Sequence, residues 1–440
     1  MSKTIANFFQ SPSFKFMVIG ILSLLLLIPA GMIRSLIRER EMRNQDASLE
    51  ISESWSFSQT ITGPFLSIPT EELITENELE VLERNTYHLL PDQLNIDGSV
   101  DPLEKKRGIF TAVVYNSNIT ISGHFTLTDD ELTSIFNRKI QKEKAFLCIG
   151  LNDLRGIGNG SSVLLNGVPY EIMPGLHNRD LTDKGIHVPL DTELLQSNGT
   201  LTFHISIELK GSSDLFITPV GKNTEVNIAS SWPDPSFTGK FLPSDKKITS
   251  TGFDATWEVN YLNRNFPQSW YNSNHSLSES TFGVNFLIPV DHYQKSERSV
   301  KYAFMFIALT FLVFLLTEII LKTRIHPIQY LLVGFALIIF YTLLISLAEH
   351  VGFNIAYLIS TIAVTTLVGG YMKGSTSSGK VGLISGLLLF FLYSFLFTTL
   401  QLQELSLLMG SVGLFLILTV IMIVSRKINW YREDSTDSGK

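Results

Sequence analysis

The chain has 440 residues, a formal net charge of −7 and a single cysteine, Cys148. The acidic balance argues against nucleic acid as a partner, because such a partner requires a strongly basic surface. One cysteine excludes an intramolecular disulfide, and Cys148 stands in an apolar run that is typical of a buried small hydrophobe. Any part of the chain outside a membrane must therefore be stabilised by its own hydrophobic core.

The first apolar run, Phe16–Ile33, allows two interpretations. A cleaved signal peptide would place its cleavage site near Pro29-Ala30-Gly31, whereas a membrane anchor would be retained. The run is 18 residues long, which is long for a signal core, and a charged segment without Gly or Pro, Ile33–Glu53, continues it. We therefore predict an uncleaved transmembrane helix over residues 16–36, preceded by a cytoplasmic N-terminus at 1–15.

From about residue 57 the chain changes to short β-type runs separated by turn residues, within a polar segment at 37–299. Asn166-Gly167 predicts a type I′ hairpin, and Pro169 predicts that its second strand lies at a sheet edge. Asn116–Asn118 is the predicted turn of another hairpin. The other predicted elements are three strands and one helix with a capping-box start: Leu201–Leu209, Phe253–Tyr261, Thr281–Ile288 and Asp129–Lys144. Together they predict an antiparallel, sandwich-like domain or a related β-rich domain with a few helices.

Five apolar stretches follow, each long enough to cross a hydrocarbon core. They are Val300–Leu321, Ile328–Ala348, Val351–Met372, Val381–Leu400 and Leu405–Val424. A backbone in lipid must satisfy its own hydrogen bonds, so each stretch is predicted to be a helix. The prediction is an α+β membrane protein with six transmembrane helices and the β-rich domain inserted between helices 1 and 2. The five later helices form a bundle at 300–425, and a tail follows at 426–440.

Basic residues in the short loops predict the orientation. They lie in alternate connections and in the tail: Lys322, Arg324, Lys373, Lys380, Arg426, Lys427 and Arg432. The other connections, at Glu349-His350 and Gln401–Glu404, contain no Lys or Arg. Both termini of this multi-pass protein are therefore predicted to be cytoplasmic, with residues 37–299 on the outer side of the membrane. Four arginines just after the first span oppose this assignment: Arg34, Arg38, Arg40 and Arg43.

No motif of catalytic specificity occurs in the chain. His-Glu-x-x-His, Gly-x-Ser-x-Gly, a Walker loop and Cys-x-x-Cys are all absent, and the glycines of Gly156–Gly160 are typical of a plain turn. The nine histidines are scattered without the spacing of metal ligands. We therefore predict no catalytic residue, no cofactor and no metal site.

Polar residues at the edges of the spans are candidate sites, because a charge in lipid is costly. They are Glu318, His326, Glu349 and His350. Glu318 is expected to pair with Lys322 at i+4 as a structural anchor. The span centres carry no carboxylate, which disfavours a proton-coupled transporter.

Two clusters outside the spans form a candidate functional surface. The segment Ser231–Pro243 is rich in proline and aromatic residues, so it is predicted to be a rigid loop and not a central strand. It is either a recognition surface or, somewhat better supported, a packed corner of the β-rich domain. The segment Pro289–Tyr302 joins the domain to the second span. The candidate residues of the two clusters are Trp232, Pro233, Asp234, Pro235, Phe237, Asp291, His292, Tyr293 and Lys295.

Several of these runs resemble signatures of the CreD family of bacterial inner-membrane proteins. The matching runs are Gln59–Pro69, Ser231–Pro243, Pro289–Lys295, Arg324–Gly334, Ser346–Phe353 and Asn429-Trp430-Tyr431. The resemblance implies a protein of envelope integrity, linked with colicin tolerance and with a two-component envelope-stress regulon. It implies no catalytic activity and no catalytic residues.

These observations favour a non-enzymatic protein of the inner membrane that supports envelope integrity and stress tolerance. Its partners would be the lipid bilayer and a component met by the periplasmic domain: an envelope protein, a lipid or the wall. The alternative is a lipid or small-molecule transporter that uses the transmembrane bundle. A membrane-embedded enzyme ranks third, because no convergent motif supports it.

Overall fold

In a computed structural model the chain divides into two compact units. The helical unit comprises Met1–Arg43 and Val290–Lys440, and the β-domain comprises Asn44–Pro289. The structure describes residues 12–76, 79–127, 145–191, 194, 199–286, 291–321, 325–376, 378–402 and 406–426.

The described helices are α1 (Pro12–Leu25), α2 (Leu27–Trp55), α3 (Asp291–Lys301), α4 (Ala303–Leu321), α5 (Pro327–Val351), α6 (Phe353–Thr376), α7 (Gly379–Gln401) and α8 (Ser406–Ser425). α2 continues α1, because the amide of Leu26 donates to the carbonyl of Leu22 at 3.0 Å and the amide of Ala30 donates to the carbonyl of Leu26 at 3.2 Å. The prediction that the first apolar helix continues through the charged segment is confirmed.

Four helices in the described part of the chain are long and apolar enough to cross a membrane. One is Lys15–Trp55, which combines α1 and α2, and the others are α5, α6 and α7. α3 and α4 bend by 49° where they meet, and together they would form a fifth such helix. The span predicted from Val300 is therefore interrupted at Tyr302, because Val300 belongs to the more polar α3. The apolar part of α8, Leu408–Thr419, is shorter than a span over its described side chains. The described helices thus account for four or five of the six predicted spans.

Glycines bring α6 and α7 into close contact. A Cβ added at Gly382 would lie 2.7 Å from the carbonyl oxygen of Gly369 and 2.6 Å from the Cβ of Lys373. A Cβ added at Gly369 would lie 3.2 Å from the carbonyl oxygen of Gly382. Small residues permit this approach, and close packing drives helix association in lipid, where the hydrophobic effect contributes little.

The β-domain contains two sheets. The first runs in spatial order β13 (Pro235–Gly239), β17 (Phe282–Phe286), β11 (Asp214–Thr218), β1 (Gln59–Glu76), β5 (Ala145–Gly150), β9 (Gly185–Leu190) and β8 (Met173–Pro174), and from β1 it branches to β2 (Leu79–Leu89) and then β16 (Ser269–Tyr271). The second runs β14 (Asp245–Thr249), β15 (Gly252–Asn260), β12 (Asn223–Ser230), β3 (Gln93–Arg107), β4 (Phe110–Thr126), β10 (Thr200–Ser212), β6 (Ser162–Leu165) and β7 (Val168–Tyr170).

Side chains from both sheets form one buried core. It includes Phe65 and Leu147 from the first sheet and Ile121, Ile205 and Trp257 from the second. The sandwich-like prediction is therefore confirmed. The antiparallel prediction is wrong in part, because β1 pairs with β11 and β3 pairs with β12 in parallel. Alternation along a strand predicts which side chains are buried, but it carries no information about strand direction.

The Asn166-Gly167 hairpin is confirmed. Leu165 pairs with Val168 across the turn, and φ is +51° at Asn166 and +79° at Gly167. Both angles match a type I′ turn. β7 contains Pro169 and is the last strand of its sheet, as predicted.

The hairpin predicted at Asn116–Asn118 is wrong. These residues lie in the middle of β4, and the turn lies between Arg107 and Phe110, where Gly108 has a φ of +63°. The hydroxyl of Ser117 donates to the carbonyl of Leu209 at 2.8 Å, so a turn-type residue is satisfied within the sheet.

Four predicted elements of the β-domain remain, three strands and one helix. The alternating strand Leu201–Leu209 is part of β10, and its alternate residues are buried. The strand Phe253–Tyr261 corresponds to β15, and the described part of Thr281–Ile288 corresponds to β17. The helix predicted at Asp129–Lys144 lies outside the described residues.

The C-terminal end of α2 packs on the β-domain. The indole nitrogen of Trp55 donates to the carbonyl of Tyr115 at 3.3 Å. The carboxylate of Asp153 accepts from the hydroxyl of Ser56 at 3.3 Å and from the amide of Phe57 at 3.0 Å. These bonds fix the direction in which the chain leaves the helix and enters β1.

Candidate functional site

α3 is anchored in the helical unit through its buried face. Tyr293, Ser296 and Val300 are buried at i, i+3 and i+7, which is the spacing of one helix face. The Tyr293 hydroxyl donates to Glu349 Oε1 at 3.0 Å. The Glu349 side chain is 8% exposed, and its Oε2 lies 3.8 Å from the guanidinium of Arg40. A nearly buried carboxylate therefore receives a hydrogen bond and lies beside a positive charge.

Two further arginines of α2 form ion pairs with another carboxylate, that of Glu297 on α3. Arg34 Nε lies 3.0 Å and Arg38 Nη2 lies 3.2 Å from Glu297 Oε1. These groups are partly exposed, so each pair by itself contributes little to stability.

Amide side chains extend the same cluster to α6 and α7. Lys295 Nζ donates to Gln401 Oε1 at 3.3 Å, and Gln401 Nε2 donates to Asn354 Oδ1 at 2.6 Å. The ammonium of Lys295 also lies 5.8 Å from the centre of the Phe353 ring. We call the whole set the Glu349 cluster: Arg34, Arg38, Arg40, Tyr293, Lys295, Glu297, Glu349, Asn354 and Gln401. It joins five helices at one end of the helical unit.

A second buried carboxylate, Glu318, lies at the end of α4. It is 3% exposed, accepts from the Tyr330 hydroxyl at 3.0 Å and from the amide of Ile325 at 3.1 Å, and forms an ion pair with Lys15. The expected partner Lys322 lies outside the described residues. The observed partner Lys15 stands on α1, so Glu318 links the first apolar helix to α4 and α5.

The other predicted residues of the helical unit have local roles. The Nδ1 of His326 accepts from the amide of Ile328 at 3.3 Å, so this side chain caps the start of α5. His350 is exposed beside Glu349. Asp291 is the first residue of α3, and the ring of His292 lies 4.2 Å from that of Tyr293.

The aromatic–proline segment belongs to the β-domain. Pro235 and Phe237 lie in the edge strand β13, and the Phe237 ring packs 5.4 Å from Phe253 and 5.6 Å from Trp257. The segment is thus partly an edge strand rather than a loop throughout, and Phe237 contributes to the packed corner. Trp232 is half-buried against the core. Pro233 and Asp234 are exposed and are the part available for recognition.

Sequence reasoning did not find most members of the Glu349 cluster. It singled out Tyr293, Lys295 and Glu349 separately, but it did not predict that Glu349 contacts both Tyr293 and Arg40. It also did not predict the hydrogen bond from Lys295 to Gln401. The arginines after the first span carried a signal, since they conflicted with the orientation from the other loops. Among the residues that the structure describes, no group of three or more His, Cys, Asp or Glu side chains could hold a metal ion.

Comparison with known proteins places this architecture in a family. The family model described as inner membrane protein CreD matches residues 11–431. A relative from Escherichia coli (strain K12), inner membrane protein CreD, is 34% identical over 415 residues, which cover 93% of this chain and 91% of the relative. The match includes the helical unit and the β-domain. The chain therefore belongs to the CreD family of inner membrane proteins.

Proposed function

We propose that this chain is a non-enzymatic inner-membrane protein that supports envelope integrity and stress tolerance. Its β-domain would contact a partner protein, a lipid or a wall component. The observation that carries this proposal is the pairing of two carboxylates of the helical unit, Glu349 in the Glu349 cluster and Glu318 outside it. Glu349 and Glu318 are both engaged by tyrosine hydroxyls and basic side chains, as a structural joint requires. A carboxylate that binds a transported ion or a substrate would need open coordination instead.

We further propose six spans, with both termini in the cytoplasm and the β-domain in the periplasm. The basic residues of the connections support this orientation. Three of the four arginines that oppose it form ion pairs in the structure: Arg34 and Arg38 pair with Glu297, and Arg40 pairs with Glu349.

Cysteine labelling in intact cells tests the orientation. Cys148 is 2% exposed, so it gives little background, and a Cys148→Ala chain serves as the blank. Leu262→Cys, at a position 77% exposed in the β-domain, should react with an impermeant maleimide added outside. Thr376→Cys should react only after the inner membrane is permeabilised. The reverse pattern at these two positions would refute the proposed orientation.

Complementation tests the function. Cells that lack the gene are supplied with the wild-type chain, Tyr293→Phe or Glu349→Gln, and their survival in detergent and bile salt is compared. Both variants should lower survival at normal protein levels, because each removes a link of the Glu349 cluster. Tyr371→Phe, the same chemical change at a position on α6, should behave as wild type. If cells with either cluster variant survive as well as those with the wild-type chain, the Glu349 cluster does not contribute to the envelope phenotype.

A further inference from the structure

A polar cleft of about 730 Å³ opens on the β-domain. It lies where β1 and β11 meet two loops, at 179–183 and 273–281. Nearly all of its lining consists of hydroxyl, amide and charged side chains, with Leu181 and Leu277 as the apolar members. Ligand sites for apolar small molecules have the opposite composition, with few polar groups in an apolar wall. The cleft is therefore suited to a strongly hydrated ligand.

The strands supply a row of hydroxyl and amide groups. Thr62 on β1 and Thr218 on the parallel strand β11 are direct neighbours, with their hydroxyl oxygens 2.8 Å apart. The side-chain amide of Asn152 donates to the hydroxyl of Thr60 at 3.1 Å. Such groups both donate and accept hydrogen bonds, as the hydroxyls of a ligand do.

A buried histidine holds one wall of the cleft. His88 is fully buried, and its Nε2 donates to Asp180 Oδ2 at 3.1 Å. The hydroxyl of Ser67 donates to Nδ1 at 3.0 Å, which completes the bonding of a neutral ring. Burial lowers the pKa of His88, against the raising effect of Asp180. The Asp180 carboxylate is thereby fixed in position while 26% of its side chain stays exposed to the cleft.

The charges of the lining nearly balance. Arg179 and Asp183 are exposed in the same loop as Asp180, which gives one basic and two acidic side chains. The half-buried ring of His275 completes this side and packs edge-on against Trp270, with ring centres 5.3 Å apart. An anionic ligand would meet two carboxylates, and an apolar ligand would leave these groups unpaired.

We propose that the cleft binds a neutral, hydroxyl-rich ligand of the oligosaccharide class. Carboxylates and a guanidinium can each pair with two neighbouring sugar hydroxyls, and the threonine and asparagine groups can satisfy the others. This assignment deepens the proposed contact with an envelope component. It rests on the proposed function for the compartment in which the glycan is met, and on the cleft itself for the chemistry.

Binding of defined trisaccharides to the full chain tests the assignment. The protein is placed in phospholipid nanodiscs without glycoside detergents, which would compete for the cleft. The probes are maltotriose and N,N′,N″-triacetylchitotriose. Saturation-transfer NMR and calorimetry measure their binding. At least one should bind the wild-type chain. Arg179→Ala and Asp183→Ala should each weaken that binding by about tenfold, through the loss of hydrogen bonds to a charged group.

Two charge-matched substitutions on the β3–β4 hairpin, Lys106→Ala and Glu104→Ala, should leave binding unchanged. The proposal is overturned if neither probe binds the wild-type chain, or if the cleft variants behave as the hairpin variants do. A sulfated trisaccharide that binds more tightly than both neutral probes would also contradict it. The assay uses purified protein, so its failure is distinct from a failure of the proposed orientation or envelope role.

Discussion

Arg155 Nη1 donates a 2.7 Å hydrogen bond to the backbone carbonyl of Glu53, at the last turn of α2. The same guanidinium contacts Asp153, with Nη2 2.7 Å from Oδ2. Asp153 in turn accepts from the chain just after the helix, at Ser56 and Phe57. One loop of the β-domain thus binds both an unsatisfied carbonyl at the helix end and the segment that follows it.

Asp153→Asn should destabilise the β-domain by about 2 kcal/mol, because it weakens several charge-assisted hydrogen bonds in a nearly buried site. The Arg155 hydrogen bond holds the pKa of Asp153 well below its usual range. The stabilisation is therefore complete above the unfolded pKa of 3.8 and declines as the pH falls below it. Urea unfolding of the full chain, followed by tryptophan fluorescence, measures the change. Lys106→Ala is the exposed control, and equal midpoints for the two variants would show that the Asp153 contacts contribute nothing.

His88 should make the β-domain less stable in mild acid. Burial lowers its pKa in the folded state below the ordinary histidine value of 6.5, so the unfolded chain takes up a proton first as the pH falls. The stabilisation is complete above that unfolded value and is lost as the pH drops toward the folded pKa. Unfolding midpoints between pH 7.5 and about 5 measure the slope. His88→Gln should reduce the slope, and an unaltered slope would assign the effect to other groups.

Tyr293→Phe should loosen α3 in the helical unit. The substitution keeps the ring but removes the hydroxyl that donates to Glu349, which leaves a nearly buried carboxylate with one partner fewer. The expected loss is about 1–3 kcal/mol. Faster hydrogen exchange at the α3 amides in nanodiscs would report it, with Tyr371→Phe as the matched control. Unchanged protection of α3 would mean that Arg40 alone satisfies Glu349.

Gly382→Ala should separate α6 from α7, because the new methyl group would meet the backbone of Gly369 at 2.7 Å. Gly370→Ala provides the matched control on α6, since nothing lies within 4 Å of its added Cβ. That control should be neutral or gain up to about 1 kcal/mol from helix propensity. Thermal unfolding in detergent compares the two, and equal melting temperatures would argue against close packing at this crossing.

The fold was predictable where the signal is local. Asn166-Gly167 gave the correct turn because two positive φ angles suit that dipeptide. Asn116–Asn118 misled because the same residue types are also satisfied inside a long strand, and only the pairing partners β3 and β10 reveal this. The candidate site depended still more on distant partners. Tyr293 and Glu349 are 56 positions apart, and Lys15 and Glu318 are 303 apart. No local pattern in a single sequence indicates that residues so far apart are in contact.

The parallel pairing of β3 with β12 has a consequence for the order of synthesis. Gln93 pairs with Asn223 and Val100 pairs with Ser230, so a central strand of the second sheet lacks one neighbour until about half of the chain has been made. β1 also waits for β11, where Gln59 pairs with Leu215. Contacts of such long sequence separation form slowly and leave strand edges exposed meanwhile. The nascent β-domain should therefore depend on holding chaperones until residue 230 has been synthesised. Chains that leave the ribosome before that point should be prone to aggregation.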